Sequence, residues 1–377
     1  MNDPAKYLDH AATSWPKPAE VRAAVVRWHD EVGVSAERGD GPGHRAARAE
    51  VAAARNGLAE LVGVAAERVA FCSGATEGLN LALRALLRPG DRIVTTAFEH
   101  SSVARPLQAL VRERACRLHI VPTDGAGGIA PDAVAAALAA APTALLVLNH
   151  ASNVTGAVVD AKACIAAARA VGAACVLDAC QTAGLLPIDL GADVVVASCH
   201  KSLSAPPGLG FVAVRSGLDL APQKQGGTGS SRALDEHPTA WPSAFEAGTP
   251  NTPAIFGLAA ALRSRRGEDQ GARLFAARAR VEQLEAALRA IDGVEVAVAP
   301  PPTARVPVLA FRHSRYDAAE VGAIASQAGF TIRTGHHCAP WLHRCLGTEA
   351  TGLVRVSPGP MTPAATIDEF AALVAAL

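Results

Sequence analysis

The sequence predicts an α/β protein: a large, mostly parallel sheet followed by a smaller α+β portion. Two observations carry this. Between about residues 50 and 215, short apolar runs rich in Val, Ile and Leu alternate with Ala-rich helical stretches, the pattern of repeated strand–helix–strand units. From about residue 255 the texture changes to longer helices interleaved with a few short strands. At 377 residues, half of them hydrophobic, the chain is long enough for a full core and for two domains.

Taken in order, the strands of the first part are RVAFC, RIVTTA, RLHIVP, ALLVLNH, ACVLDA, VVVAS and GFVAV; LNLALRALL and DAVAAALAAA exemplify the helices between them. The second part reads as one long helix at about 253–291, then VEVAVAP, VPVLAFR, a helix near 317–328, TIRTG, GLVRVS and a closing helix from about 364. The expected division is a large domain over 16–252, with 1–15 and 253–377 forming the small one. In open parallel sheets ligands bind beyond the carboxyl ends of strands, so informative residues are sought just after the apolar runs.

Composition removes several function classes. Thirty-five basic residues balance 35 acidic ones, which gives no reason to expect nucleic acid or an anionic membrane as partner. The most apolar stretch is broken by Pro142 and Thr143 and is too short to span a bilayer. The opening Met-Asn-Asp-Pro has no leader character, and the eight cysteines are scattered without paired spacing. A cytoplasmic protein with reduced thiols is expected.

One residue stands out. The chain has five lysines, because nearly every cation is written as arginine, yet Lys201 ends the strand-like run DVVVASCHK. Arginine does not lose its proton in a protein, whereas a desolvated lysine becomes a nucleophilic amine, so Lys201 is a candidate Schiff-base lysine. In VLDACQTAG, Asp178 ends the preceding strand and Gln181 follows. Alone, Asp178 reads equally as a helix N-cap or as a carboxylate facing a cationic heteroatom such as a protonated pyridine nitrogen. FCSGATEGLNLAL is a strand, a small-residue turn and a helix. Gly74, Ala75 and Thr76 there offer N–H groups, a hydroxyl and a helix N-terminus to a phosphate, or form an ordinary capped turn. Ser198 and His200 add two potential donors. His100 in AFEHSS and Asn153 in NHASNVTG are each read as a loop residue, or as an aromatic platform and a hydrogen-bond donor to a ring.

In TIRTGHHCAPWLHRC, Cys338 lies in a loop beside Arg333, His336 and His337, cations that favour a thiolate. His336, His337, Cys338, His343 and Cys345 also have metal-ligand chemistry, but no second pair of ligands lies elsewhere, and no metal is assigned. Arg355 in GLVRVS is a surface ion-pair partner or a bidentate carboxylate ligand. A dinucleotide enzyme would need a G-x-G-x-x-G turn, which is missing, whereas a zinc-stabilised module would use the His/Cys cluster.

In this order, with YLDHAATSWPKP, SGATEGLN, EHSS, ASNVTG, DACQ, SCHK, FEAGTPNT and RTGHHCAP, the chain resembles the class V, fold-type I pyridoxal-phosphate enzymes and, within them, the cysteine desulfurases. The short loop around Cys338 resembles the SUF-type (group II) branch. The resemblance implies that Lys201 holds pyridoxal 5'-phosphate as the internal aldimine and moves protons, that Asp178 pairs with the ring nitrogen and that His100 stacks on the ring. It also implies that Ala75, Thr76, Ser198 and His200 bind the phosphate. By the same resemblance Gln181 and Asn153 would lie near the ring oxygen or the substrate, and Arg355, with Arg333 nearby, would hold the substrate carboxylate. Thr249 is implied to reach the partner subunit's phosphate in a homodimer, and Cys338 to take sulfur from L-cysteine as a persulfide for an acceptor protein. Relatives on this scaffold act as selenocysteine lyases or cystine/cysteine C–S lyases, the alternative reading. The chain departs from the family pattern at His10, at Ala75 and in VSPGPMTP after Arg355.

Overall fold

The structure is a computed structural model and describes residues 3–37, 39–125, 127–229, 235–298 and 300–377. The chain begins with an irregular segment, then α1 (Ala19–Arg27) and α2 (Pro42–Val62). The alternating region follows: β1 (Val69–Cys72), α3 (Ala75–Leu86), β2 (Arg92–Thr96), α4 (Ser101–Arg114), β3 (Arg117–Val121), α5 (Pro131–Ala139), β4 (Leu145–Asn149), α6 (Ala161–Ala170), β5 (Ala174–Asp178), β6 (Val194–Ser198) and β7 (Gly210–Val214). These seven strands form one sheet in the order β1-β7-β6-β5-β4-β2-β3. Pairings among β2 to β6 are parallel, and β7 runs against both its neighbours. Central β4, LLVLN, is buried at every position, as a strand covered by helices on both faces must be. Local signals start the helices: Asp160 accepts from Ala163 N–H at 3.0 Å to cap α6, and His100 caps α4.

The second part comprises α7 (Thr252–Arg265), α8 (Gln270–Arg289), β8 (Val294–Val296), β9 (Leu309–His313), α9 (Ala318–Gln327), β10 (Arg333–Gly335), α10 (Pro340–Leu346), β11 (Leu353–Val356) and α11 (Ala364–Ala375). Its four strands form an antiparallel sheet ordered β10-β11-β9-β8. The helix expected at about 253–291 is two helices. Gly267 follows the end of α7, and Asp269 caps α8 by accepting from Ala272 N–H at 2.9 Å, so this polar RGED stretch breaks the run. Ile255, Leu258 and Leu262 of α7 belong to the core of the large sheet, whereas Val281, Leu284 and Leu288 of α8 belong to that of the small sheet. We propose two structural units that meet between α7 and α8 rather than at residue 252.

The N-terminal segment stitches the units together. Tyr7 bridges Thr331 and Asp9 bridges Ser357 beside the small sheet, and five residues later Ser14 N–H donates to the His200 carbonyl of the large one. No helix among the described residues is long and apolar enough to cross a membrane.

Candidate active site

The carboxyl ends of β1, β4, β5 and β6 open onto a cleft of about 210 Å³ that is closed on its far side by β10 and β11. Topology alone brings Ala75, Thr76, His100, Asn153, Asp178, Gln181, Ser198, His200, Lys201, Arg333 and Arg355 to its walls. Two predicted residues, Cys338 and Thr249, lie outside the lining.

One end of the cleft suits an anion. β1 delivers the chain into a tight turn at Ser73 and Gly74, and α3 starts at Ala75 with its positive dipole end toward the cleft. Ala75 N–H donates to Ser198 Oγ at 2.9 Å, fixing the turn against the end of β6. This packing requires Gly210 of β7, because a β-carbon there would meet the Gly74 backbone at 2.7 Å. The buried His200 Nδ1 has no hydrogen-bond partner.

The other end carries a carboxylate. Asp178 is 2% exposed, accepts from Cys180 N–H at 3.0 Å, and has no ion-pair partner among the described residues. A buried carboxylate of this kind calls for a cation from a ligand. Lys201 follows β6 on the same floor, and its amine makes no hydrogen bond or ion pair with the described residues. His100 sits above them at the start of α4. Its Nδ1 accepts from Ser102 N–H at 3.1 Å, which leaves the proton of the neutral ring on Nε2. Burial first, then the charge of Lys201, pushes its pKa down to about 4, so the ring is neutral at pH 7.

Arg355 on β11 is also 2% exposed. It donates to the Asn153 carbonyl at 3.0 Å and to Asp9 Oδ1 at 2.6 Å, while its Nε is buried without a partner. The Oδ1 of Asn153 is likewise unpartnered, and its Nδ2 donates to the His337 carbonyl at 2.6 Å. Ser101 N–H donates to the Cys338 carbonyl at 2.7 Å. The cysteine loop is therefore pinned by the N-terminus of α4 and by Asn153. Cys338 itself is exposed, and His337 and Cys338 both hold left-handed backbones, φ 48° and 58°. Such strain in non-glycine residues costs on the order of 1–3 kcal/mol each and clusters at functional loops.

The histidines around Cys338 are engaged in hydrogen bonds: His336 Nε2 with the Glu349 carbonyl, His337 Nε2 with that of Leu353, and His343 Nδ1 with Thr348 Oγ1. Among the described residues no group of three or more His, Cys, Asp or Glu could hold a metal ion. Thr249 lines a neighbouring hollow beside Glu77 and Lys224.

Sequence reasoning missed other wall residues. Ala11 and Ala12 belong in the sequence only to an opening motif, and Asn149, Cys180 and Ser102 sit one to four residues from predicted ones, while His337, a candidate cation for Cys338, also reaches the wall. Adjacency was the available signal.

The arrangement offers an anion cradle, a buried carboxylate without a cation, a free amine and a neutral aromatic ring in one cleft. This donor set matches the phosphate, the ring nitrogen, the aldehyde and the ring face of pyridoxal phosphate. A family model described as Aminotransferase class-V matches residues 6–370. A cysteine desulfurase of Klebsiella pneumoniae subsp. pneumoniae is 34% identical over 353 residues, covering 89% of this chain and 84% of its own. Among solved structures, the apo cysteine desulfurase of Thermococcus onnurineus NA1 superposes with a TM-score of 0.92 at 27% identity, covering 99% of this chain and 94% of that one. The cysteine desulfurase of Escherichia coli in an S-sulfonic acid form gives 0.89 at 26% identity, covering 98% and 94%.

Proposed function

The chain belongs to the class-V aminotransferase family and, within it, to the cysteine desulfurases, and from that premise we propose how its residues divide the work of converting L-cysteine to L-alanine. Pyridoxal phosphate supplies, when bound, an electron sink in conjugation with the substrate α-carbon. Ala75, Thr76, Ser198 and His200 would hold its phosphate, Asp178 its ring nitrogen and His100 its ring face. Gln181, whose Nε2 donates to the Ala11 carbonyl at 3.2 Å, and Asn153 would border the ring oxygen and the substrate.

Lys201 would hold the cofactor through its Nζ and would carry a proton to and from the substrate carbon. Arg355 takes the substrate carboxylate through the edge that Asp9 and Asn153 leave free, with Arg333 adding charge from the neighbouring strand. Cys338, as thiolate, attacks the substrate sulfur. An S–S bond forms, the C–S bond breaks, its electron pair stays with the carbon that becomes the alanine methyl, and the persulfide remains on Cys338.

The exposure of Cys338 supports delivery of that sulfur to an acceptor protein, and its short loop supports a SUF-type (group II) assignment. Thr249 faces a hollow apart from the cleft, in keeping with a homodimer in which it serves the partner's site. Exposed Cys338 and Cys345 suit a reducing, cytoplasmic setting.

The observation that carries the reading is the pairing of Lys201, an amine without a side-chain partner among the described residues, and Asp178, a buried carboxylate without an ion-pair partner among them, in one cleft with an anion cradle. It is tested by the absorbance of purified protein before and after L-cysteine, with alanine and sulfide assayed together. A visible band that moves with cysteine while alanine forms is expected. A colourless protein that cannot be reconstituted with pyridoxal phosphate would overturn it. The position of Cys338 outside the lining favours one second reading: a selenocysteine lyase or cystine/cysteine C–S lyase, which would not need this thiol.

A further inference from the structure

The free amine of Lys201 has nothing to hold it, so its position must come from the backbone that bears it. That backbone is gripped on both sides by cations with no carboxylate within ion-pair distance among the described residues. On one side Lys17 Nζ donates to the His200 carbonyl at 2.7 Å, and to Ser14 Oγ and Thr13 Oγ1 at 2.9 and 3.4 Å. The same carbonyl oxygen receives Ser14 N–H at 3.1 Å and the hydroxyls of Thr13 and Ser14 at 3.0 and 3.2 Å. Four donors therefore converge on the peptide unit that enters Lys201. On the other side Arg265 of α7 donates to the Ser202 carbonyl and to that of Gly184, and its remaining side-chain partner is Gln270 Oε1 at 2.9 Å. Between the two grips the turn closes on itself: Ser204 N–H donates to the Lys201 carbonyl at 2.8 Å, with Ser204 in a left-handed backbone, φ 62°.

Two partly buried cations satisfied by dipoles are an expensive arrangement for a single turn. Burial pulls Lys17 down to about 8 and Arg265 to about 10. Methionine in either place would spare the desolvation but leave its carbonyl without that donor. We propose that Lys17 and Arg265 are positioning residues that lock the His200–Ser202 backbone, so that the Lys201 amine points into the cleft without a side-chain partner. The proposal rests on the reading of Lys201 as the cofactor-holding amine. Misplacing a reacting group by about 1 Å can cost roughly a hundredfold in rate, so a rigid mount is worth this expense.

The test compares the full-length wild type with Lys17→Met, Lys17→Arg and Arg265→Met, with and without pyridoxal phosphate. Amide exchange of Ser204 and its neighbours in the cofactor-free chain reads the mount directly. It is expected to accelerate about tenfold or more in both methionine variants, a loss of one such grip, and to return toward wild type in Lys17→Arg. In the loaded enzyme kcat should fall while KM for cysteine holds, and the cofactor should leave faster. Unchanged local exchange in both methionine variants would overturn the proposal. So would acceleration spread evenly over the chain with a matching fall in Tm, which marks a merely structural role. A wild type that takes up no pyridoxal phosphate would count against the functional reading, while the exchange result would still decide the mount.

Discussion

Asp9 Oδ1 lies 2.6 Å from Arg355 Nη2, a nearly buried ion pair that joins the N-terminal segment to β11 at the mouth of the cleft. Arg355 spends its other terminal nitrogen on the Asn153 carbonyl, at 3.0 Å, and keeps Nε free. A guanidinium fixed on two sides presents its remaining edge in one orientation, which is what two-point capture of a carboxylate needs.

Asp9→Asn should therefore act on substrate binding. It leaves the arginine buried without a counter-charge, a loss of about 3–5 kcal/mol when a buried pair is broken. The guanidinium, no longer held on its Asp9 side, also leaves the orientation in which it receives the substrate carboxylate. KM for cysteine is expected to rise about tenfold or more with a smaller change in kcat. Steady-state kinetics of Asp9→Asn beside Arg355→Lys check this; an unchanged KM in Asp9→Asn would remove Asp9 from the site.

Gly210→Ala probes the anion cradle. The added methyl would sit 2.7 Å from Gly74 Cα and C and 2.9 Å from the Ala197 carbonyl, all backbone atoms that cannot swing aside. The turn before α3 must move, and Ala75 N–H with it. Pyridoxal-phosphate affinity is expected to fall by at least tenfold, the consequence of losing one charge-assisted hydrogen bond, with a drop in Tm. Gly227→Ala, where nothing lies within 4 Å of the new atom, serves as the neutral control. Titration of the cofactor-free proteins gives both numbers.

The fold was legible in the sequence because burial writes itself as composition: every one of the seven apolar runs became a strand of the large sheet. Reading one helix over 253–291 failed because apolar periodicity on either side concealed a four-residue polar break, which only Gly267 and the cap at Asp269 mark. The wall residues that follow strands were legible for the same topological reason, since parallel strands deliver their carboxyl ends to one edge. Ala11, Ala12 and the Asp9–Arg355 pair were not, because they depend on contacts across some 346 residues of chain. Small side chains gave no chemical signal there. Lys17 is the instructive case: the scarcity of lysine that drew attention to Lys201 applied equally to it.

Cys338→Ala separates the two readings of the chemistry. Cys338 touches the site only through its backbone, by way of Ser101 N–H, so its thiol can be removed without disturbing the cleft. The variant should keep its visible cofactor band and its affinity for the cofactor, and lose alanine formation from L-cysteine by a factor of about a hundred or more, as expected for a lost nucleophile. Alanine formation that survives from L-cysteine would exclude the persulfide route. Selective survival with L-selenocysteine would favour the lyase reading.

Glu99, next to His100, gives a prediction about pH. Its carboxyl is fully buried, accepts from Thr96 Oγ1 at 2.8 Å and Asn149 N–H at 3.0 Å, and leaves Oε2 without a partner. Burial, which those two hydrogen bonds only partly offset, raises its pKa from 4.5 to about 8. The folded state therefore holds a proton that the unfolded chain releases between pH 4.5 and 8. The stability Glu99 contributes is complete below pH 4.5 and is lost as pH rises through 8, at about 1.4 kcal/mol per pH unit within that window. The buried His10, His100 and His150 are held down to about 4, so above pH 7 they are neutral in both states and drop out of the balance. Glu99→Gln keeps an oxygen for Thr96 and Asn149 and has no proton to lose. Urea unfolding of the cofactor-free protein at pH 7, 7.5 and 8 should show the wild type weakening faster than Glu99→Gln, the gap growing with pH and levelling off above 8. Parallel curves would mean that Glu99 is already ionised in the folded chain, with a cation close enough to hold it.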